Sequence, residues 1–458
     1  MVDRLPLGPY RTLQTGEGVS VPYYIVPFDE EGRCSGPRTR AELVARVGAG
    51  SFSDIFVFSH GWNNGWKQAT ERYEHFITGY MRQRQEFGLP VPGGFRPLLV
   101  GIFWPSKLLV GAEDRAPAIA AASPETVDEL VAEERAEVAE LATAVPAEHV
   151  ERFYALAQSD SLTKDEALEL ARMVAGLYAA DVEEAGDEAA PTVEEIVGSW
   201  KGPPRRRGDP GDLDDFGTAD AAAPSADSPD AAARIVAPQT AGVVDFLSGR
   251  SIVRTLSVWQ MKDRAGRVGA KGVGPLLVDI LQADQQVRVH AIGHSFGAKV
   301  MLSATCAPAR LPRPIESALL LQPAISHLCF AAAVPGTGRP GGYRGALDRV
   351  RKPILATFSR KDRELRNFHL GLRRDEDLGE AKIAADEPPS RYAALGGYGP
   401  RGLGAGGRLE PVKDAVDRYN LATDGVEVYG IDSSRTIANH GDISNPSTWW
   451  MLYNLVTS

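Results

Sequence analysis

Six short apolar runs punctuate the chain, and each breaks at glycine, proline or a small polar residue within two positions of its end. Residues 54–59 read Asp-Ile-Phe-Val-Phe-Ser, and comparable runs occupy 98–103, 287–292, 317–321, 354–358 and 426–431. Near-continuous apolarity over five or six residues is what a parallel strand needs when both of its faces are covered. Residues 10–28 instead alternate, which predicts an antiparallel hairpin at a sheet edge, with Gly16-Glu17-Gly18 as its turn and 21–26 as its second strand. Between the runs, apolar residues recur at three and four positions, predicting helices over 73–87, 147–158, 164–179, 193–200, 251–261 and 273–281. Asn445 followed by Pro446 reads as an N-cap and first helical residue, opening a last helix that holds Trp449, Trp450 and Leu452. Strands alternating with helices predict the α/β class, with a mostly parallel central sheet flanked by helices.

The alternation is interrupted once. From about 124 to 202 the chain is rich in Ala and Glu at helical spacing, and from 202 to 233 it turns to Pro, Gly, Asp, Ala and Ser. We therefore expect a core from 1–106 and 256–458, a helical insertion over 107–255, and a flexible loop at 202–233 within it. Arg205-Arg206-Arg207 reads as a solvated charge run, and His149 as a helix-surface histidine. The glycine-rich run 396–407 reads as a surface excursion.

Composition narrows the function. Of 458 residues, 43% are hydrophobic and 24% charged, as in an ordinary globular protein, and the net charge of −10 argues against a nucleic-acid binder. Cys34, Cys306 and Cys329 have no metal or redox spacing and read as reduced thiols. The amino terminus lacks a signal-type apolar region and no stretch reaches the about 18 apolar residues of a membrane span, so the expected location is cytoplasmic. No cofactor is implied, and the absence of HExxH or clustered His/Asp spacing gives no reason to expect a metal.

The candidate chemistry centres on the end of the run at 287–292, which passes into Gly293-His294-Ser295-Phe296-Gly297 and then into Val300, Met301, Leu302 and Ala304 at helical spacing. Strand, tight turn and helix would present the Ser295 hydroxyl at the carboxyl edge of a sheet, with helix amino-terminal N–H groups beside it. His60-Gly61-Trp62-Asn63-Asn64, directly after another strand, is the candidate loop for amides aimed at an oxyanion; its bland alternative is a strand-to-helix turn capped by Asn63 or Asn64. A serine hydroxyl needs an imidazole to take its proton and an anion to hold the imidazole. Asp362 follows the strand at 354–358, and His440 follows the last one.

The GxSxG turn, the His60-Gly61 loop, an acid after a later strand and a histidine after the last resemble the α/β-hydrolase superfamily, over roughly residues 50–105 and 285–458. Ser-His-Gly-Trp at 59–62 and Phe-Trp-Pro-Ser at 103–106 look like the lipase and esterase members. The resemblance implies an α/β-hydrolase fold, Ser295 as nucleophile, His440 as general base and acid, Asp362 as orienting carboxylate, the Trp62 and Phe296 amides as oxyanion hole, and His60, Gly61 and His294 bordering the substrate. The implied activity is hydrolysis of a carboxylic ester on a small-molecule acyl substrate; thioesters and amides suit the same machinery, and an inactive binding or scaffold protein on this fold is the other reading. The insertion precedes the nucleophile strand, where lids usually follow a later one. It is expected to cap the Ser295 edge, the alternative being a side-mounted domain for a protein partner.

For the base, His294 points away from the serine, His60 lies in the oxyanion loop and His369 just after the acid, leaving His440. For the acid, Glu364 is the nearest rival to Asp362, and Asp442 is expected to cap the last helix.

Overall fold

The computed structural model describes residues 7–15, 19–90, 93–106, 141–142, 145–157, 159, 162–175, 193–194, 197, 260–335, 338–367, 393–422 and 425–458. The hairpin turn at 16–18, most of 193–200, residues 251–259, the loop at 202–233 with its arginine triplet, and His369 lie outside them.

Among the described residues nine strands form one sheet: β1 (Arg11–Gln14), β2 (Ser20–Pro27), β3 (Asp54–Ser59), β4 (Pro97–Phe103), β5 (Arg288–His294), β6 (Ser317–Leu321), β7 (Ile354–Phe358), β8 (Gly407–Pro411) and β9 (Val428–Asp432). Their order across the sheet is β1-β2-β4-β3-β5-β6-β7-β9-β8. Only β1 runs antiparallel, against β2; every other pairing is parallel. The carboxyl ends of the parallel strands therefore share one edge.

The helices whose bounds lie among the described residues are α1 (Pro37–Gly48), α2 (Trp66–Glu86), α3 (Val150–Ala157), α4 (Lys164–Val174), α5 (Gly274–Ala283), α6 (Phe296–Cys306), α7 (Arg363–Asn367), α8 (Leu395–Tyr398) and α9 (Pro446–Thr457). Two cores explain the unbroken apolar strands. Ile55 and Val57 of β3 face α1, α5 and α6, whereas Phe56 and Phe58 face Tyr73 and Phe76 of α2 and Trp450 of α9. Alternate side chains leave opposite faces of the sheet, so burial on both sides favours an apolar residue at nearly every position, and polar exceptions such as Asp54, His290, Ser317 and Thr357 are hydrogen-bonded. The described part of the insertion has a third core, in which Phe153 and Leu156 of α3 meet Leu170 and Val174 of α4. A Thr163–Glu166 capping box opens α4, and His149 is exposed in a 3-10 turn ahead of α3.

Several boundaries differ from expectation. α2 starts at Trp66, seven residues before the predicted 73, because Gly65 takes the cap position and its N–H donates to the Gln68 side chain; neither Asn63 nor Asn64 is the cap. Asp442 does not cap the last helix. Its carboxylate accepts the Ala438 N–H and closes the turn that carries His440, while Asn445 caps α9. The run at 396–407 is a surface excursion only from 401 onward; its first half is built into the core. Leu395, Gly396 and Gly397 are buried in α8, and the residues that follow form β8, an edge strand beyond β9. A side chain at Gly396 would collide with Leu365 and the Gln322 backbone, so glycine there serves close approach rather than looseness. Among the described residues, no helix is long and apolar enough to cross a membrane.

Candidate active site

β5 and β3 are neighbours, and the loops leaving their carboxyl ends meet. Ser295 sits between β5 and α6 with φ 55° and ψ −124°, a conformation costing about 1–3 kcal/mol for a non-glycine residue. Three backbone bonds hold it there: Ser295 N–H donates to Leu321 O (3.1 Å), and its carbonyl accepts Ala298 N–H (3.1 Å) and Ala324 N–H (3.2 Å). Gly297 lies against the Ser59 and His60 carbonyls, where any Cβ would collide. Across the gap a Cβ on Gly61 would lie 2.6 Å from Ser295 Cβ and 3.2 Å from its Oγ. The two loops therefore close on each other only because both positions are glycine. Phe296 opens α6, so its N–H has no intrahelical acceptor.

The loops after β7 and β9 bring in the other two groups. His440 Nε2 lies 2.9 Å from Ser295 Oγ, and His440 Nδ1 lies 2.8 Å from Asp362 Oδ2. A buried ionised carboxylate only accepts, so Nδ1 carries the hydrogen and Nε2 is left to accept the serine O–H. All three residues are buried, with Asp362 at 0% exposure. Burial pushes the Asp362 carboxyl up, but His440, the Leu365 N–H (2.9 Å) and the Gln322 amide (2.7 Å) together hold it below the usual carboxylate range. Glu364, the rival acid, stands beside that pair with its carboxyl pushed up by burial and by the Asp362 charge. The carboxylate within hydrogen-bond distance of the imidazole is Asp362. This arrangement can pass the serine proton to the ring as Oγ forms a bond to carbon, leaving the imidazolium balanced by Asp362.

The predicted loop at 60–64 is held from behind. His60 is fully buried, stacked on Trp104 at 5.3 Å. Its Nδ1–H donates to Gly61 O (2.8 Å) and its Nε2 accepts the Trp104 N–H (3.3 Å). Burial drives its pKa down to about 3, so the ring is neutral at working pH. Asn63 and Asn64 N–H groups donate to Ser106 O (2.9 Å) and Oγ (3.1 Å), pinning this loop to the one after β4. His294 is likewise buried and held well below its usual range by burial. Its ring, 5.0 Å from that of His440, donates from Nε2 to the His440 carbonyl (3.0 Å). His60 and His294, expected beside the substrate, thus have rings engaged in fixing the loops that carry Gly61 and His440. Gly61 itself lies against Ser295.

Sequence reasoning passed over three contributors. Gln322 and Arg72, which donates to the Gly441 carbonyl (3.4 Å), were assigned no role, and Ser106 entered only as the last residue of the Phe-Trp-Pro-Ser stretch. A polar residue one step past a fully apolar strand was the available signal for the first. Comparison with known proteins found no matching family model, no matching curated protein and no matching solved structure.

Proposed function

We propose that this protein is a serine hydrolase of the α/β-hydrolase type that cleaves carboxylic esters through an acyl-enzyme. The observation carrying this reading is the unbroken chain from Ser295 Oγ through the His440 ring to Asp362, with steps of 2.9 and 2.8 Å, at the carboxyl edge of a parallel sheet. Ser295 Oγ attacks the acyl carbon while His440 Nε2 takes its proton. The oxyanion is met by the N–H groups of Phe296 and Trp62. His440 returns the proton to the leaving alcohol, and water repeats the sequence to release the acid.

A fluorophosphonate probe should label the wild type covalently and fail on Ser295→Ala, which should also lose hydrolysis of short p-nitrophenyl esters. Undiminished labelling of that variant would refute the assignment. Matched thioester and amide substrates rank the leaving group, and a folded protein inert toward all of them and toward the probe would be a binding protein on this fold.

A further inference from the structure

We infer that Gln322 is a positioning residue, its side-chain amide the clamp that aims the Asp362 carboxylate at the His440 ring. The geometry stands independently of the hydrolase reading; the kinetic consequences rest on it.

Gln322 lies one residue past β6, fully buried, with φ 42°, a left-handed conformation unusual for a residue with a side chain. An apolar residue would fill the same volume with no polar group to satisfy. Instead the amide is fully used: Nε2 donates to Asp362 Oδ2 (2.7 Å) and to Gly396 O (3.2 Å), and Oε1 accepts the Thr357 hydroxyl (3.0 Å). The Gln322 N–H donates back to that hydroxyl (2.8 Å). Both groups facing Nε2 are acceptors, so the amide has one satisfactory orientation, with its nitrogen toward the carboxylate. Asp362 Oδ2 therefore takes two donors, the amide and the imidazole, while Oδ1 takes the Leu365 N–H.

The clamp joins segments that nothing else on the acid would join. Leu365 belongs to α7, immediately after Asp362, and fixes the carboxylate only against its own loop. Gln322 fixes it against β6, the strand beside the one leading into Ser295, and so ties acid and nucleophile to one frame. The titratable groups around Asp362 are His440 and Glu364.

Gln322→Met removes both donors at similar volume. It should lower kcat about tenfold with KM unchanged, since a small misalignment acts on the reacting geometry rather than on binding. It should also move the acidic limb of the kcat/KM profile upward by about half a pH unit, because the Asp362–His440 pair, with one donor fewer on the carboxylate, binds its proton more tightly. Gln322→Glu restores a donor while the introduced carboxyl shares one proton with Asp362. It should recover kcat near neutral pH and lose it again in alkali, where both carboxyls ionise. The downfield NMR resonance of the proton between His440 Nδ1 and Asp362 reports the same geometry without any substrate. It should shift in Gln322→Met, and less so in Thr357→Val, which frees the amide but keeps residue 322. A shifted resonance in a protein whose turnover survives Ser295→Ala would keep the clamp and discard the hydrolase reading. Unchanged kcat, pH limb and resonance in folded Gln322→Met would overturn the proposal; should that variant not fold, an unchanged limb and resonance in Thr357→Val overturns it.

Discussion

Replacing Asp54 by asparagine should destabilise the protein markedly while leaving the Ser295 site intact. Asp54 opens β3 at the amino edge of the sheet, fully buried and held below the usual carboxylate range despite that burial. Its Oδ1 lies 2.8 Å from Arg288 and 3.0 Å from His290 Nε2, and its Oδ2 lies 2.9 Å from Arg288 and 2.6 Å from Ser53 Oγ. His290, buried and pushed toward its neutral form, passes the network on from Nδ1 to Ser317 Oγ (2.7 Å). Asparagine keeps one acceptor but turns a donor toward Arg288 and Ser53, so two charge-assisted bonds are lost at about 1.5–3 kcal/mol each. Removing one partner of a buried pair costs about 3–5 kcal/mol by the same logic, and we expect a loss in that range at pH 7. Five residue steps along β3, about 17 Å, separate Asp54 from the end carrying His60, so activity per folded molecule should stay within twofold. Denaturant unfolding with a matched activity assay measures both. Because the folded-state carboxyl is lowered, its contribution is complete above the unfolded value of about 3.9 and fades as pH falls through the folded one. The gap between wild type and Asp54→Asn should therefore narrow below about pH 4. A loss under about 1 kcal/mol at pH 7, or a gap independent of pH, would refute the claim that an ionised Asp54 organises this edge.

Asp362→Asn should retain the fold and lower kcat by about 10⁴-fold, because an amide favours the wrong imidazole tautomer; Glu364→Gln should cost less than about tenfold, and the reverse ranking would move the acid to Glu364. His440→Ala should match Ser295→Ala in residual rate, since the members act as a unit; a much milder loss would dissociate the ring from the serine. Gly61→Ala puts a methyl 2.6 Å from Ser295 Cβ and should lower kcat/KM by about 10²-fold while costing about 1–3 kcal/mol of stability as the two loops are pushed apart, an outcome contradicted if the rates are equal.

The local pattern determined where strands begin and end when they are covered on both faces. β3, β6 and β7 match the apolar runs at 54–59, 317–321 and 354–358 residue for residue, because two-sided burial confines polar residues to the few positions, such as Asp54, Ser317 and Thr357, where a hydrogen-bond partner is at hand. The glycine spacing about Ser295 was equally legible, since a Cβ at Gly297 has nowhere to go. Edge and polar structure was not. β8 is exposed along most of its length and carries Arg408 and Glu410, so apolarity could not reveal it. The order β5-β6-β7-β9 is what turns four separate strand ends into neighbours, placing His440 between Ser295 and Asp362 and the Gln322 amide on the same Asp362 oxygen as the imidazole. The same sheet order brings the His290 ring within hydrogen-bond distance of both Asp54 and Ser317 at the opposite edge. These bonds join residues 27 to 236 positions apart. Periodicity reports only which way each residue faces within its own element, and the partners of a buried polar group are chosen when strands pair.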